Sequence, residues 1–240
     1  CHLQEMHYPL SVRAVPTLSQ PLPPLAFSLI SPAKLVKAQL PMKNGGPIVR
    51  LLICAGGTGG GVYPALAVHN ALTSQHPNVE TLWVGGEGGM EEELVNRAGI
   101  SYRSIPAAGV HGVGLRALPR NIAKLSRGVK ASRRLLREFK PDVLFFTGGF
   151  VAVPMAVAGR NIPTVLYVPD IEPGLALKFL SRFADVVSVT ASESKKYFPQ
   201  KWKLVLTGYP LRADFSNWSR EKATQRFGLD PNKPVLLVTG

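Results

Sequence analysis

The stretch VRLLICAGGTGGGVYPALAV, residues 49–68, decides how the rest of the chain is read. Its opening run, Val49 to Cys54, is short and almost wholly apolar, as expected of a strand buried on both faces of a parallel sheet. Five glycines follow within the six residues 56–61, and then the helical pattern PALAVHNAL. Glycine permits positive φ and close backbone approach, and a helix start offers unpaired N–H groups and the positive end of its dipole. A strand, a glycine loop and a helix expected over Pro64 to Ser74 therefore make a unit whose natural guest is a phosphate group.

Two familiar phosphate motifs fail on this loop. A Walker A sequence ends in Gly-Lys-Ser/Thr, and no lysine follows Gly60 or Gly61. A dinucleotide site needs G-x-G-x-x-G and an acid near the end of the next strand; Gly57 and Gly59 begin that spacing, but Val62 stands at the third glycine and Glu87 comes late. An ATPase and an NAD enzyme are both disfavoured.

Outward from this unit, short apolar runs alternate with longer helical patterns from Ile48 to Thr207. Strands are expected at Val49 to Cys54, Thr81 to Val84, Ser101 to Ile105, Val143 to Phe146, Thr164 to Val168, Val186 to Val189 and Leu204 to Leu206. Helices are expected near Met90 to Ala98, Leu115 to Phe139, Val151 to Ala158, Leu175 to Ser181 and Glu193 to Phe198. The fold class is α/β, a doubly wound parallel Rossmann-like sheet. Ligands bind such sheets beyond the carboxyl ends of the strands, so the loops at Gly56, Gly85, Ala107, Gly148 and Pro169 carry the chemistry.

Composition narrows the class. The chain has 240 residues, of which 45% are hydrophobic and 18% charged, enough for a core and too apolar for a disordered chain. Its two cysteines, Cys1 and Cys54, provide neither a disulfide framework nor a cysteine zinc cluster, which suits a reducing compartment. No apolar run reaches the ~18–20 residues of a membrane-spanning helix, so a soluble or peripheral protein is expected. Eight of the 21 prolines lie in residues 1–47, a stretch without sustained periodicity that reads as an extension, with a natural start near Met42. Residues 48–213 form the main domain. Residues 214–240 read as a linker and, at Val235 to Thr239, the first strand of a second, truncated domain.

The formal charge is +13, from 28 Lys and Arg against 15 Asp and Glu. Residues 116–140 hold nine Lys and Arg and one acid, Glu138. At 100° per residue Arg116, Arg120, Lys124, Arg127, Lys130, Arg134 and Arg137 gather on one side of a helix, opposite Leu118, Ile122, Leu125, Val129 and Leu136. The apolar stripe is expected to pack on the sheet and the basic face to meet an anionic partner, a lipid surface in particular. Nucleic acid is not expected, because no recognition motif or aromatic stacking pattern accompanies the charge.

The segments AGGTGGG at 55–61, YPALAV at 63–68, GGMEEELV at 88–95, KPDVLFFTGGFVAVP at 140–154 and GYPLR at 208–212 together resemble the MurG enzymes of glycosyltransferase family 28, over residues 48–240. The resemblance implies a GT-B fold of two Rossmann-like domains facing a cleft. It implies transfer of N-acetylglucosamine from UDP-N-acetylglucosamine to the undecaprenyl-diphosphate-linked muramyl-pentapeptide of peptidoglycan, without metal or other cofactor. The place of work would be the cytoplasmic face of a bacterial membrane, at an anionic surface. On this likeness Gly57, Thr58, Gly59 and Gly60 lie against diphosphate and sugar, Gly148 and Gly149 form a second loop on the acceptor side, and Arg212 pairs with phosphate oxygens.

Two departures from the family pattern bear on catalysis. Gly61 stands where the family has a histidine that serves as candidate general base, and glycine moves no proton. Tyr167, Val168, Pro169 and Asp170 replace a His-Glu-Gln-Asn segment. The remaining candidates for the base are Asp170, His111 and Glu172, while helix capping is the rival role for Asp170. The open alternatives are a related UDP-sugar transferase acting on another lipid, and a non-catalytic subunit that binds acceptor and membrane.

Overall fold

The computed structural model describes residues 42–43, 46–107, 118–198, 204–212 and 217–236. Residues 1–41, His111 and Arg116 lie outside them. Met42–Lys43 (β1) pairs antiparallel with Gly46–Pro47 (β2). All seven expected strands form: Val49–Cys54 (β3), Val79–Gly86 (β4), Ser101–Ile105 (β5), Val143–Phe146 (β6), Thr164–Val168 (β7), Val186–Val189 (β8) and Leu204–Leu206 (β9). They make one sheet in the order β5-β4-β3-β6-β7-β8-β9, every pairing parallel.

Strand order reverses at β3, which pairs with β4 on one side and with β6 on the other, Leu51 lying opposite both Thr81 and Val143. Between the carboxyl ends of β3 and β6 neither following loop can cross the other, and a crevice results. The glycine loop leaves β3 and the segment Thr147–Phe150 leaves β6, so both open on that crevice.

The period of two divides the strand residues between two cores. Leu52, Cys54, Val84, Leu144, Phe146, Leu166 and Val187 face one side with Met155 and Leu180. Leu51, Ile53, Trp83, Val143 and Phe145 face the other with Val62, Ala65, Leu66 and Val95. Burial on both faces is why these strands read as continuous apolar runs.

The helices are Gly59–Gln75 (α1), Glu91–Arg97 (α2), Leu118–Phe139 (α3), Ala152–Ala158 (α4), Leu175–Leu180 (α5) and Arg220–Phe227 (α6). Three expectations are corrected. First, α1 starts at Gly59 rather than Pro64, so three of the loop glycines are its first turn. The N–H groups of Gly61 and Val62 both donate to the Thr58 carbonyl, at 3.2 and 3.3 Å, and close that turn before the proline is reached. Pro64, lacking an N–H, takes away only the bond to Gly60.

Second, the buried line of α3 does not include Ile122, which is 51% exposed. It runs through Gly128 and Ser132, with Ala131, Leu135, Leu136 and Phe139 against the core. A Cβ at Gly128 would strike the Pro106 carbonyl and lie 3.2 Å from Pro154 Cβ, so the small residue sets how closely α3 approaches α4. Third, Ser192–Tyr197 is a 3-10 helix. Of the strand expected from Val235, only Val235 and Leu236 are described, and both are exposed and outside any strand.

Candidate functional site

Thr58, in extended conformation (φ −146°, ψ 155°), is the N-cap of α1, and its side chain makes no capping bond. Gly57 turns the chain at φ +89°, a conformation that strains any residue with a Cβ. Among the described residues the N–H groups of Gly59 and Gly60 have no partner, and they stand at the start of a 17-residue helix. Unpaired donors and the helix dipole together favour an anion there.

The second loop interlocks with the first. Gly149 has φ +81°, and a Cβ on it would come 2.5 Å from the Gly56 carbonyl oxygen. Thr147 Oγ1 donates to the Gly61 carbonyl at 2.8 Å. A Cβ at Gly61 would lie 3.3 Å from the same hydroxyl, so the place of the family histidine is closed in by Thr147. Gly148, at φ +116°, faces Leu177 within α5.

The GYPLR segment completes this end of the sheet. The Arg212 guanidinium carbon lies 5.7 Å from the Tyr63 ring centroid, a cation–π contact linking residue 212 to α1. Tyr167 Oη donates to the Gly208 carbonyl at 3.4 Å and shares a 2.9 Å hydrogen bond with Thr190 Oγ1, while its ring meets Tyr209 edge-on. The tyrosine that replaces the family histidine at 167 thus anchors the segment after β9.

Burial is the largest influence on the Tyr167 phenol; the Thr190 hydrogen bond opposes it, Tyr209 and Asp170 add to it, and the net push is up to about 12. A folded state that holds this proton more tightly has its full stability below the ordinary value near 10.0 and loses it as pH rises through about 12. Urea unfolding between those limits is expected to show a shallower fall for Tyr167→Phe than for the parent; parallel curves would contradict the assignment.

The candidate bases fare unequally. Asp170 follows β7 and is exposed, with no hydrogen bond or ion pair to a described residue. It does not cap α5, whose N-cap is Gly174, so the capping role is withdrawn. Glu172 is occupied on the surface by Lys178 at 3.9 Å and by the Tyr197 hydroxyl at 3.4 Å. On α3, Arg120, Arg127, Lys130, Arg134 and Arg137 are exposed as expected, Arg134 pairing with Glu138 at 2.7 Å, and the half-buried Lys124 reaches Glu87 at 4.0 Å. No group of three or more His, Cys, Asp or Glu among the described residues could hold a metal ion. No helix among them is long and apolar enough to cross a membrane.

Sequence reasoning passed over Thr147, Tyr63 and Glu91. Glu91 is 1% exposed, and only its place beside the glycine-rich segment GGEGG, with two further acids after it, set it apart.

A doubly wound parallel domain with glycine loops on both sides of its switch point is the class of molecule defined here. The family model described as glycosyltransferase family 28 N-terminal domain matches residues 51–189. The chain belongs to that family. It is 40% identical over 202 residues to the UDP-N-acetylglucosamine–N-acetylmuramyl-(pentapeptide) pyrophosphoryl-undecaprenol N-acetylglucosamine transferase of Desulfitobacterium hafniense, covering 80% of this chain and 53% of the relative. The transferase of the same name from Bacillus subtilis is 37% identical over 194 residues, with the same coverage. Among solved structures, Acinetobacter baumannii MurG aligns with a TM-score of 0.57 and 32% identity over 68% of this chain and 47% of that one. A Rickettsia africae glycosyltransferase, 11% identical with a TM-score of 0.56 over 78% of this chain and 51% of that one, shares the fold. The chain spans about half the length of the curated relatives it matches.

Proposed function

We propose that this chain is the acceptor-side half of an enzyme that moves N-acetylglucosamine from UDP-N-acetylglucosamine to undecaprenyl-diphosphate-linked muramyl-pentapeptide. The observation that carries the reading is that both glycine loops and the Arg212 segment meet at the switch point, where the unpaired Gly59 and Gly60 amides and a guanidinium can receive phosphate oxygens. Residues 48–213 serve as the acceptor and membrane domain, and residues 214–240 lead into a donor-binding domain. The exposed basic face of α3 holds the enzyme peripherally on the anionic cytoplasmic side of the membrane, at about 1 kcal/mol per basic residue near the surface. No metal or other cofactor has a part in the reading.

For the general base, Asp170 is the strongest described candidate, because its carboxylate is exposed just after β7 and has no hydrogen bond or ion pair with a side chain among the described residues. Gly61 and the altered segment at 167–170 favour one second reading, a related UDP-sugar transferase with a different lipid acceptor.

The test is a transfer assay on a polypeptide extended through the donor-binding domain, with acceptor presented in neutral or anionic vesicles. Transfer to the muramyl lipid, faster on anionic vesicles, is expected, and Asp170→Ala should lower turnover about tenfold or more, as loss of a general base does. Residues 1–240 alone should show no transfer. Robust turnover by residues 1–240 would contradict the two-domain reading, unchanged turnover would remove Asp170 from the bases, and equal rates on both vesicles would remove the basic face from membrane binding. Transfer only to another lipid would favour the second reading.

A further inference from the structure

The acid at the head of α2 is buried with no cation against it among the described residues. Glu91 is 1% exposed, and no Lys or Arg among the described residues pairs with it. Its carboxylate is met by backbone instead: the N–H of Gly86 donates to Oε1 at 2.8 Å and the N–H of Gly57 to Oε2 at 3.3 Å. One side chain therefore ties the loop after β3 to the last residue of β4.

The glycines around it make the room. A Cβ at Gly56 or Gly89 would run into the carboxylate, and one at Gly85 would lie 2.7 Å from Oε1. Part of the glycine excess in both loops is thereby explained by an internal anion rather than an external one. The start of α2 has no need of this buried charge, since Glu92 and Glu93 place two exposed acids in the same first turn. Burying a carboxylate is costly, so folding alone gives no reason to keep it.

We propose that Glu91 is a positioning residue: by holding the Gly57 N–H inward, its carboxylate sets the turn that leaves the Gly59 and Gly60 N–H groups open for a phosphate. This rests on the phosphate reading of the glycine loop given above. Glutamine at 91 keeps the shape but offers one acceptor oxygen and an NH2 group, so it can satisfy one loop N–H and must turn a donor towards the other. Aspartate keeps the charge and shortens the reach by one methylene.

The experiment uses the isotopically labelled chain, residues 1–240, with two readouts: amide exchange at Gly57 and Gly86, and titration with inorganic diphosphate followed at the Gly59 and Gly60 amides. In Glu91→Gln, exchange at Gly57 or Gly86 should rise about tenfold and diphosphate affinity fall about tenfold, the size of one lost charge-assisted hydrogen bond. Exchange at Leu52 and Ile53 should be unchanged, and Glu92→Gln should alter neither readout. Faster loop exchange with unchanged diphosphate affinity would reduce Glu91 to a structural brace and overturn the proposal, and so would unchanged exchange. If Glu91→Gln does not fold, Glu91→Asp decides, a weaker hold on diphosphate supporting the proposal and equal affinity overturning it. A parent chain that ignores millimolar diphosphate would overturn the phosphate reading and the proposal with it; the exchange data would still show whether Glu91 holds the loop.

Discussion

Replacing Trp83 by alanine is expected to cost about 3–5 kcal/mol of folding stability, as truncating a large buried aromatic does. Trp83 is fully buried in the middle of β4 and packs among Ile53, Phe145 and Val95. Its indole N–H also donates to the Ala55 carbonyl at 2.9 Å, so truncation leaves a buried acceptor unpaired as well as a cavity. Native domains hold only about 5–15 kcal/mol, and a loss of this size brings the variant close to unfolding at room temperature. Urea denaturation followed by circular dichroism measures it. Trp83→Phe retains a ring and should lose less, about 1–2 kcal/mol for the missing atoms and hydrogen bond. A loss below about 1 kcal/mol in the alanine variant would mean that β4 is not packed as described. Ala55 is the residue before the first loop glycine, so the core reaches outward through this indole to fix where the loop begins.

The second large effect belongs to Gly149→Ala. Residue 149 sits at φ +81°, and an added Cβ would meet the Gly56 carbonyl oxygen at 2.5 Å. The backbone term is about 1–2 kcal/mol and the overpacking term about 1–3 kcal/mol, so a loss of about 2–5 kcal/mol is expected. Gly148→Ala is the informative comparison. Its φ of +116° is also strained, but the nearest described atom to its Cβ would be Leu177 Cδ2 at 3.3 Å, the far end of a side chain that can move. The alanine at 149 should therefore be clearly the worse of the two. Equal denaturation midpoints would show that the two glycine loops do not touch as described.

Why some of this could be read from the sequence and some could not is a matter of range. The central strands were legible because burial on both faces makes a run such as VLFF at 143–146 apolar at every position, a purely local signal. The start of α1 was not legible, since glycine has poor intrinsic helix propensity and only the bonds from Gly61 and Val62 to Thr58 show that it begins at Gly59. Ile122 was assigned to the core by periodicity, but the contact of α3 with α4 turns on Gly128, and the buried line continues through Ser132, neither of which a hydropathy pattern selects. Gly148, Gly149 and Arg212 were singled out as candidates because they fall in recognisable segments. Glu91 was missed because its meaning depends on glycines at 56, 85 and 89 that meet only when β3 and β4 are side by side.

The loop glycines do not all answer to the same demand. Gly56 yields space to a carboxylate, Gly57 makes a left-handed turn, and Gly61 lies under the Thr147 hydroxyl. Gly60 answers to nothing of the kind: the nearest atom to its Cβ position is Thr58 Oγ1 at 3.8 Å, and its backbone is helical. Alanine would suit a helical turn better by about 0.5–1 kcal/mol. The described architecture is indifferent to a methyl group at this point, so on the phosphate reading proposed above the bare hydrogen at residue 60 would be a concession to a visitor, rigidity given up for access.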